Sequence, residues 1–144
     1  MKLNGSHKFR APGYKVFNAI LDTSILKSCI PGCHSVEYLD ANQLMANISL
    51  PLPGLKGPYG ATIKIAQRQS PSMLVLEVHR KGRGGAIHAT SQINLVEEAD
   101  GTLLTYAATA DLEGPIAIAN NPLGEKMTRN SLGTFFDNLD KAIV

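Results

Sequence analysis

The chain has 144 residues, 44% hydrophobic and 18% charged, with 13 Gly, 8 Pro and no Trp, which excludes a disordered or coiled-coil protein and suits one core without disulfide or metal staples. Fourteen Lys and Arg against 12 Asp and Glu leave a net charge of +2, too even for the basic stripe of a nucleic-acid binder, so no nucleic-acid partner is expected. No apolar run approaches the roughly 18–20 residues that span a bilayer, and Met1-Lys2-Leu3-Asn4-Gly5-Ser6 has no apolar signal stretch, so a single cytoplasmic domain over residues 1–144 is expected.

Lys2 to Ala11 alternates, with Leu3, Gly5, His7 and Phe9 on one side, and predicts a first strand at or near a sheet edge. Pro12 suits a first helical position, and Val16, Phe17, Ile20 and Leu21 recur at helical spacing up to Asp22-Thr23. Thr23 can cap a second short helix, Ser24 to Ile30, which Pro31-Gly32 ends.

From His34 to Leu112 the period is two. Val36 and Tyr38 share a side, as do Leu44, Ala46, Ile48 and Leu50; Tyr59, Ala61, Ile63 and Ile65; Leu74, Leu76 and Val78; Ile87, Ala89, Ser91, Ile93 and Leu95; and Leu104, Tyr106, Ala108, Ala110 and Leu112. Asp40-Ala41-Asn42, Pro51 to Pro58, Gln69 to Ser72, Gly82 to Gly85 and Asp100-Gly101 supply the turns of a six-stranded antiparallel meander. After Gly114-Pro115 the period returns to 3.6, with Leu123, Met127, Leu132, Phe135, Phe136, Leu139 and Ile143 in one stripe. Asn121 and Pro122 form a natural N-cap and first-turn pair, so a helix of roughly 20 residues, about 30 Å long, runs to the C-terminus.

The fold class is therefore α+β. A seven-stranded curved antiparallel sheet wraps around a long C-terminal helix, with two short helices between strands 1 and 2. Opposite the helix stripe the inward positions Ala89, Ser91, Ala108 and Ala110 are small, which leaves volume for an apolar small molecule unless Met127, Phe135 and Phe136 fill it. The candidate ligand-binding residues are Tyr59, Ile63, Leu76, Ala89, Ser91, Tyr106 and Ala108 on the strands and Met127, Leu132 and Phe135 on the helix. The phenols of Tyr59 and Tyr106 need hydrogen-bond partners, which a ligand carbonyl or water can supply; alternatively each fills a core position with its hydroxyl at the rim.

No catalytic set can be assembled. Ser91 has no His in its register, and His79 and His88 have outward parity, so the chain is not expected to be an enzyme. Cys29 and Cys33 lie only four apart, fit neither a disulfide framework nor a complete zinc site, and are expected to be structural thiols; His34 beside them reads as a turn residue, and no metal or cofactor is expected. Arg80 to Gly85 is a short basic turn followed by a strand, not by the helix N-terminus that a phosphate cradle needs. Pro51 to Leu55 is an apolar loop that places Leu52 and Leu55 at the cavity lip or against a partner. If the basic turn lies at the same end, the two would touch an anionic membrane surface transiently; otherwise, and as the preferred reading, the basic loop is a solvated hairpin turn.

Phe9-Arg10-Ala11-Pro12 with Val16, Ala19 and Leu21-Asp22, then Leu26, Cys29-Ile30-Pro31-Gly32-Cys33 and Glu37, resembles the opening of the CoxG family, the G-subunit family of carbon-monoxide dehydrogenase. Phe135-Phe136-Asp137-Asn138-Leu139 is similar to that family's last helix, and Lys56-Gly57, Lys81-Gly82 and Gly101-Thr102 with Leu104 and Tyr106 match between. The resemblance implies a START-like helix-grip fold, whose members hold lipids, sterols, polyketides or other apolar ligands between sheet and helix. It also implies an accessory of a carbon-monoxide dehydrogenase-like molybdenum hydroxylase, acting in maturation, membrane attachment or electron hand-off, with a quinone or lipid as bound ligand. A quinone carbonyl would suit the two phenols. Many members have a tail beyond the last helix linked to membrane association; this sequence stops at Val144, so ligand binding is expected rather than anchoring. The alternatives are a START-superfamily enzyme of aromatase or cyclase type, which needs an acid or base in the cavity, and an interaction protein with a filled core.

Overall fold

The computed structural model describes residues 1–50 and 57–144. Its elements are β1 (Lys2–Phe9), α1 (Gly13–Ile20), α2 (Thr23–Cys29), β2 (Cys33–Asp40), β3 (Gln43–Ile48), β4 (Tyr59–Gln69), β5 (Met73–Arg80), β6 (Ala86–Glu98), β7 (Gly101–Glu113), a 3-10 turn (Gly114–Ala119) and α3 (Pro122–Ile143). The strands form one seven-stranded sheet in the order β1-β7-β6-β5-β4-β3-β2, every neighbouring pair antiparallel. β2 to β7 are the expected meander, and β1 returns to pair with β7 at one edge, Leu3 opposite Ala108 and Phe9 opposite Thr102.

Three local features differ from the sequence expectation. β1 ends at Phe9 because the next amide, of Arg10, donates to Asp140 Oδ1 at 3.0 Å instead of continuing the ladder. Asp22, not Thr23, caps α2: its carboxylate accepts from the Ile25 amide at 3.1 Å, so the helix starts one residue earlier. The Gly114-Pro115 break is a 3-10 turn that buries Ile116 to 1% exposure before α3 begins. At the β6–β7 turn, Gly101 has φ of 154°, and a side chain there would collide with the Phe9 carbonyl, so glycine at 101 is a steric requirement.

The core lies under the C-terminal half of α3. Phe9, Val16, Leu104 and Leu139 are fully buried, joined by Phe17, Leu44, Ala46, Ile65, Leu74, Ile93, Leu95 and Phe136; each large apolar side chain contributes about 1.5–3 kcal/mol on burial. Buried Thr102 donates its hydroxyl to Ala11 O at 2.8 Å, which leaves no orphan polar atom there. Three contacts aim α3. Asn121 Oδ1 accepts from Gly124 N at 2.8 Å, Asn138 Nδ2 donates to Cys29 O at 3.0 Å, and Asp140 accepts from Arg10 N and, at 2.9 Å, from Arg10 Nε. Two of the three hold the C-terminal half against α2 and the β1–α1 junction, so the sheet lies less covered beneath the N-terminal half.

Candidate ligand-binding trough between sheet and helix

Strand register sets which inward side chains meet. Leu44, Ile63, Val78, Ala89 and Ala110 form one row across β3 to β7. Ile65, Leu76, Ser91, Ala108 and Leu3 form the next. The two rows place Ala89 beside Ala110 and Ser91 beside Ala108, a patch of four short side chains in the sheet floor.

Burial changes along each strand. Ile65, Leu74, Ile93, Leu95 and Leu104 are buried, whereas Ile63, Leu76, Val78, Ile87, Ala89, Ser91, Ala108, Ala110 and Leu112, on the same face, are only half-buried. α3 shows the same gradient: Phe136 and Leu139 are buried, Met127, Leu132 and Phe135 are half-buried, and Leu123 is 65% exposed. The concave face is thus closed at one end and an accessible apolar trough at the other.

Phe136 makes the closure. Its ring centroid lies 6.1 Å from Phe9, 5.7 Å from Tyr106, 5.6 Å from His7 and 5.4 Å from Phe135. Aromatic packing therefore describes the closed half of the concave face, and partly exposed apolar side chains the open half. Ile63, Leu76, Tyr106, Leu132 and Phe135 pack against the core as its rim. Ala89, Ser91 and Ala108 form the floor beyond it, with Met127 half-buried on α3.

The two tyrosines separate. Tyr106 lies across Gly5 of β1, where a Cβ would sit 2.8 Å from its hydroxyl, and its ring meets Phe136; it fills a core position with the hydroxyl at the edge. Tyr59 stands at the open end under the Arg80 guanidinium, 4.8 Å from ring centre to Cζ.

Arg80 is the residue that the sequence pattern hides. The pattern groups it with the basic turn, but it pairs with Ile87 and so projects from the concave face in continuation of Leu74, Leu76 and Val78. Nη1 donates to Gly60 O at 3.1 Å and Nη2 to Arg83 O, while Nε is buried without a partner among the described residues. Extending the alternation by one step is the signal that finds it; the run of cations in the turn obscures that step.

The basic turn and the 3-10 turn meet at this same end, where Ile116 N donates to Gly84 O at 2.9 Å. Lys81 and Arg83 flank it, and Ile118 and Leu123 are among the most exposed large apolar residues, at 59% and 65%. The loop Pro51 to Leu55, with Leu52 and Leu55, lies outside the described residues.

Cys29 and Cys33 are free thiols, the first buried. Burial pushes the Cys33 thiol pKa up, against smaller opposing effects of a backbone hydrogen bond at Ser35 and of the Lys27 charge. Among the described residues no three His, Cys, Asp or Glu side chains are grouped to hold a metal ion, and no helix is long and apolar enough to cross a membrane.

Residues 5–144 match the family model of CoxG, the G-subunit of carbon monoxide dehydrogenase. The chain belongs to the CoxG family. Among solved structures, a conserved protein from Geobacillus kaustophilus superposes with a TM-score of 0.90 at 27% identity, covering 99% of this chain and 95% of that one. A START superfamily protein from Mycobacterium smegmatis gives 0.78 at 12% identity over 99% and 96% of the two chains. Protein CV1439 from Chromobacterium violaceum gives 0.76 at 13%, again over 99% and 96%. No curated protein matches the sequence. The CoxG chain therefore has the START-like helix-grip fold, with the short helices, sheet order and terminal helix expected of it.

Proposed function

We propose that this CoxG-family chain binds an apolar small molecule, a quinone or a lipid, in the trough between the sheet and the N-terminal half of α3. The observation that carries the reading is the burial gradient. The large inward residues of four adjacent strands are sealed at one level and half-open two residues further along the same strands, over a floor of Ala89, Ser91, Ala108 and Ala110. Apolar surface left accessible inside a concave face, with few polar groups along it, is the usual form of a small-molecule site. The family and the fold support the same class of ligand.

The polar groups sit at one end, which orients the ligand. Its hydrocarbon portion lies over the alanine floor and its oxygen-bearing end meets Tyr59 and Arg80, whose Nε has no acceptor among the described residues. Exposed Ile118 and Leu123 beside Lys81 and Arg83 form an apolar and cationic rim for transient contact with an anionic membrane surface, where quinones and lipids reside. Delivery of such a ligand to, or its retention near, a molybdenum hydroxylase is the accessory role that family membership supports. Binding is favoured over aromatase or cyclase chemistry because the concave positions of β4 to β7 along the trough carry no carboxylate among the described residues.

The test replaces the floor. Ala108→Phe or Ala110→Phe is expected to abolish uptake of a short-chain quinone and of a fluorescent fatty acid while leaving circular dichroism unchanged. Undiminished uptake by both folded variants would refute the trough as the site.

A further inference from the structure

The convex face of the sheet carries a second constellation, separated from the trough by the thickness of the sheet. Register aligns Thr62, His79, His88 and Asp111 across β4, β5, β6 and β7. These four, with Lys81, Glu113 and the ends of β5 and β6, line an open depression of about 430 Å³. The imidazoles of His79 and His88 pack edge to face with centroids 4.5 Å apart, and their Nδ1 atoms are 3.1 Å from each other.

That separation has a chemical meaning. Two imidazole nitrogens bound to one ion at the usual 2.0–2.1 Å, at angles between square-planar and tetrahedral, stand about 2.9–3.4 Å apart. The two rings are held at chelating distance before any ion arrives, because each sits on a paired central strand. Neighbouring groups complete the arrangement. Glu77, two residues before His79 on the same face, has its Oε2 4.0 Å from His79 Nε2 and adds a carboxylate beside the ring. Asp111, directly opposite His88, and Glu113 beyond it add negative charge to the wall of the depression. The cations facing the site are Lys81, Arg80, which also lines the depression at the strand end, and, across from Glu77, Lys64.

We infer that His79 and His88 form an open, two-nitrogen chelating site for a divalent transition ion of nitrogen preference, such as Cu²⁺ or Zn²⁺, with water as the remaining ligands. In the free protein one Nδ1–H donates to the other Nδ1; on binding, that proton moves through solvent to the Nε2 of its own ring, so two neutral rings bind without net proton release.

The site is tested by titrating the whole chain with Cu²⁺ at about pH 7.5 and counting coordinated nitrogens by electron paramagnetic resonance. One ion per chain with a two-nitrogen signature is expected. His79→Gln or His88→Gln should each weaken binding by about tenfold or more, the loss of one donor from a chelate, whereas His34→Gln should not. Should a variant fail to fold, Zn²⁺ titration of the unaltered chain still decides, by whether the imidazole proton resonances of His79 and His88 shift or only those of His7 and His34. Equal Cu²⁺ affinity in the folded His79→Gln and His88→Gln chains, or Zn²⁺ shifts confined to the other histidines, overturns the inference. Quinone uptake by these variants should be unchanged, so this test and that of the trough fail separately.

Discussion

Arg80 and Cys33 show how the surroundings of one side chain decide its role. Arg80 occupies a strand position where apolar residues precede it, and two of its donors are taken by backbone carbonyls while Nε faces no acceptor among the described residues. Arg80→Leu is expected to weaken binding of a short-chain quinone about tenfold, the order of one hydrogen bond to a charged group. Binding of a pure hydrocarbon probe should be unchanged, and competition binding with the two probes measures the split. Cys33 is half-buried, and burial disfavours its thiolate, so its pKa stands above the ordinary 9.0. In a Cys29→Ala background, alkylation by iodoacetamide at about pH 8 should therefore be slower than for a free thiol, and rise only as pH passes above the ordinary value. Fast labelling at that pH would mark Cys33 as a reactive residue.

Among the elements, α3 decides the shape of the site, and its fastenings can be weighed one at a time. Asp140 joins the last turns of α3 to the β1–α1 junction through two contacts with Arg10, and its side chain is only 15% exposed. Asp140→Ala should lower unfolding free energy by about 1–2 kcal/mol, discounted for the exposed Arg10 head. The two helix glycines differ in sign. A Cβ at Gly133 meets nothing within 4 Å, so Gly133→Ala should raise stability by about 0.5–1 kcal/mol through helix propensity alone. At Gly124 a Cβ would run into the Ala119 carbonyl, so Gly124→Ala should destabilise where the 3-10 turn meets α3. Urea denaturation of the three variants tests all of these, and equal midpoints for the two glycine variants would contradict the packing described.

For the molecule as a whole, binding must show as stability, because a ligand held only by the folded state shifts unfolding by mass action. A quinone at about 100 times its Kd should add about 2.7 kcal/mol, read as a rise in Tm that Ala108→Phe removes. The architecture behind this is legible in the sequence because it rests on periodicity. Two-residue alternation in Ile87 to Leu95 and Leu104 to Leu112 marks one face of a strand wherever the strand lies, and the 3.6-residue stripe from Leu123 to Ile143 marks α3. The small floor residues are legible for the same reason. Three things are not. Whether Phe136 fills the cavity depends on where α3 crosses, which Asn138 and Asp140 set through partners 109 and 130 residues away. Arg80 takes its place from register with Ile87, and the distance between His79 and His88 comes from the pairing of β5 with β6. Local pattern reports which side of an element is apolar, since that is a property of neighbouring residues. Which half of the concave face is closed, and which polar groups meet across strands, are set by contacts between distant segments, and only the folded chain decides them.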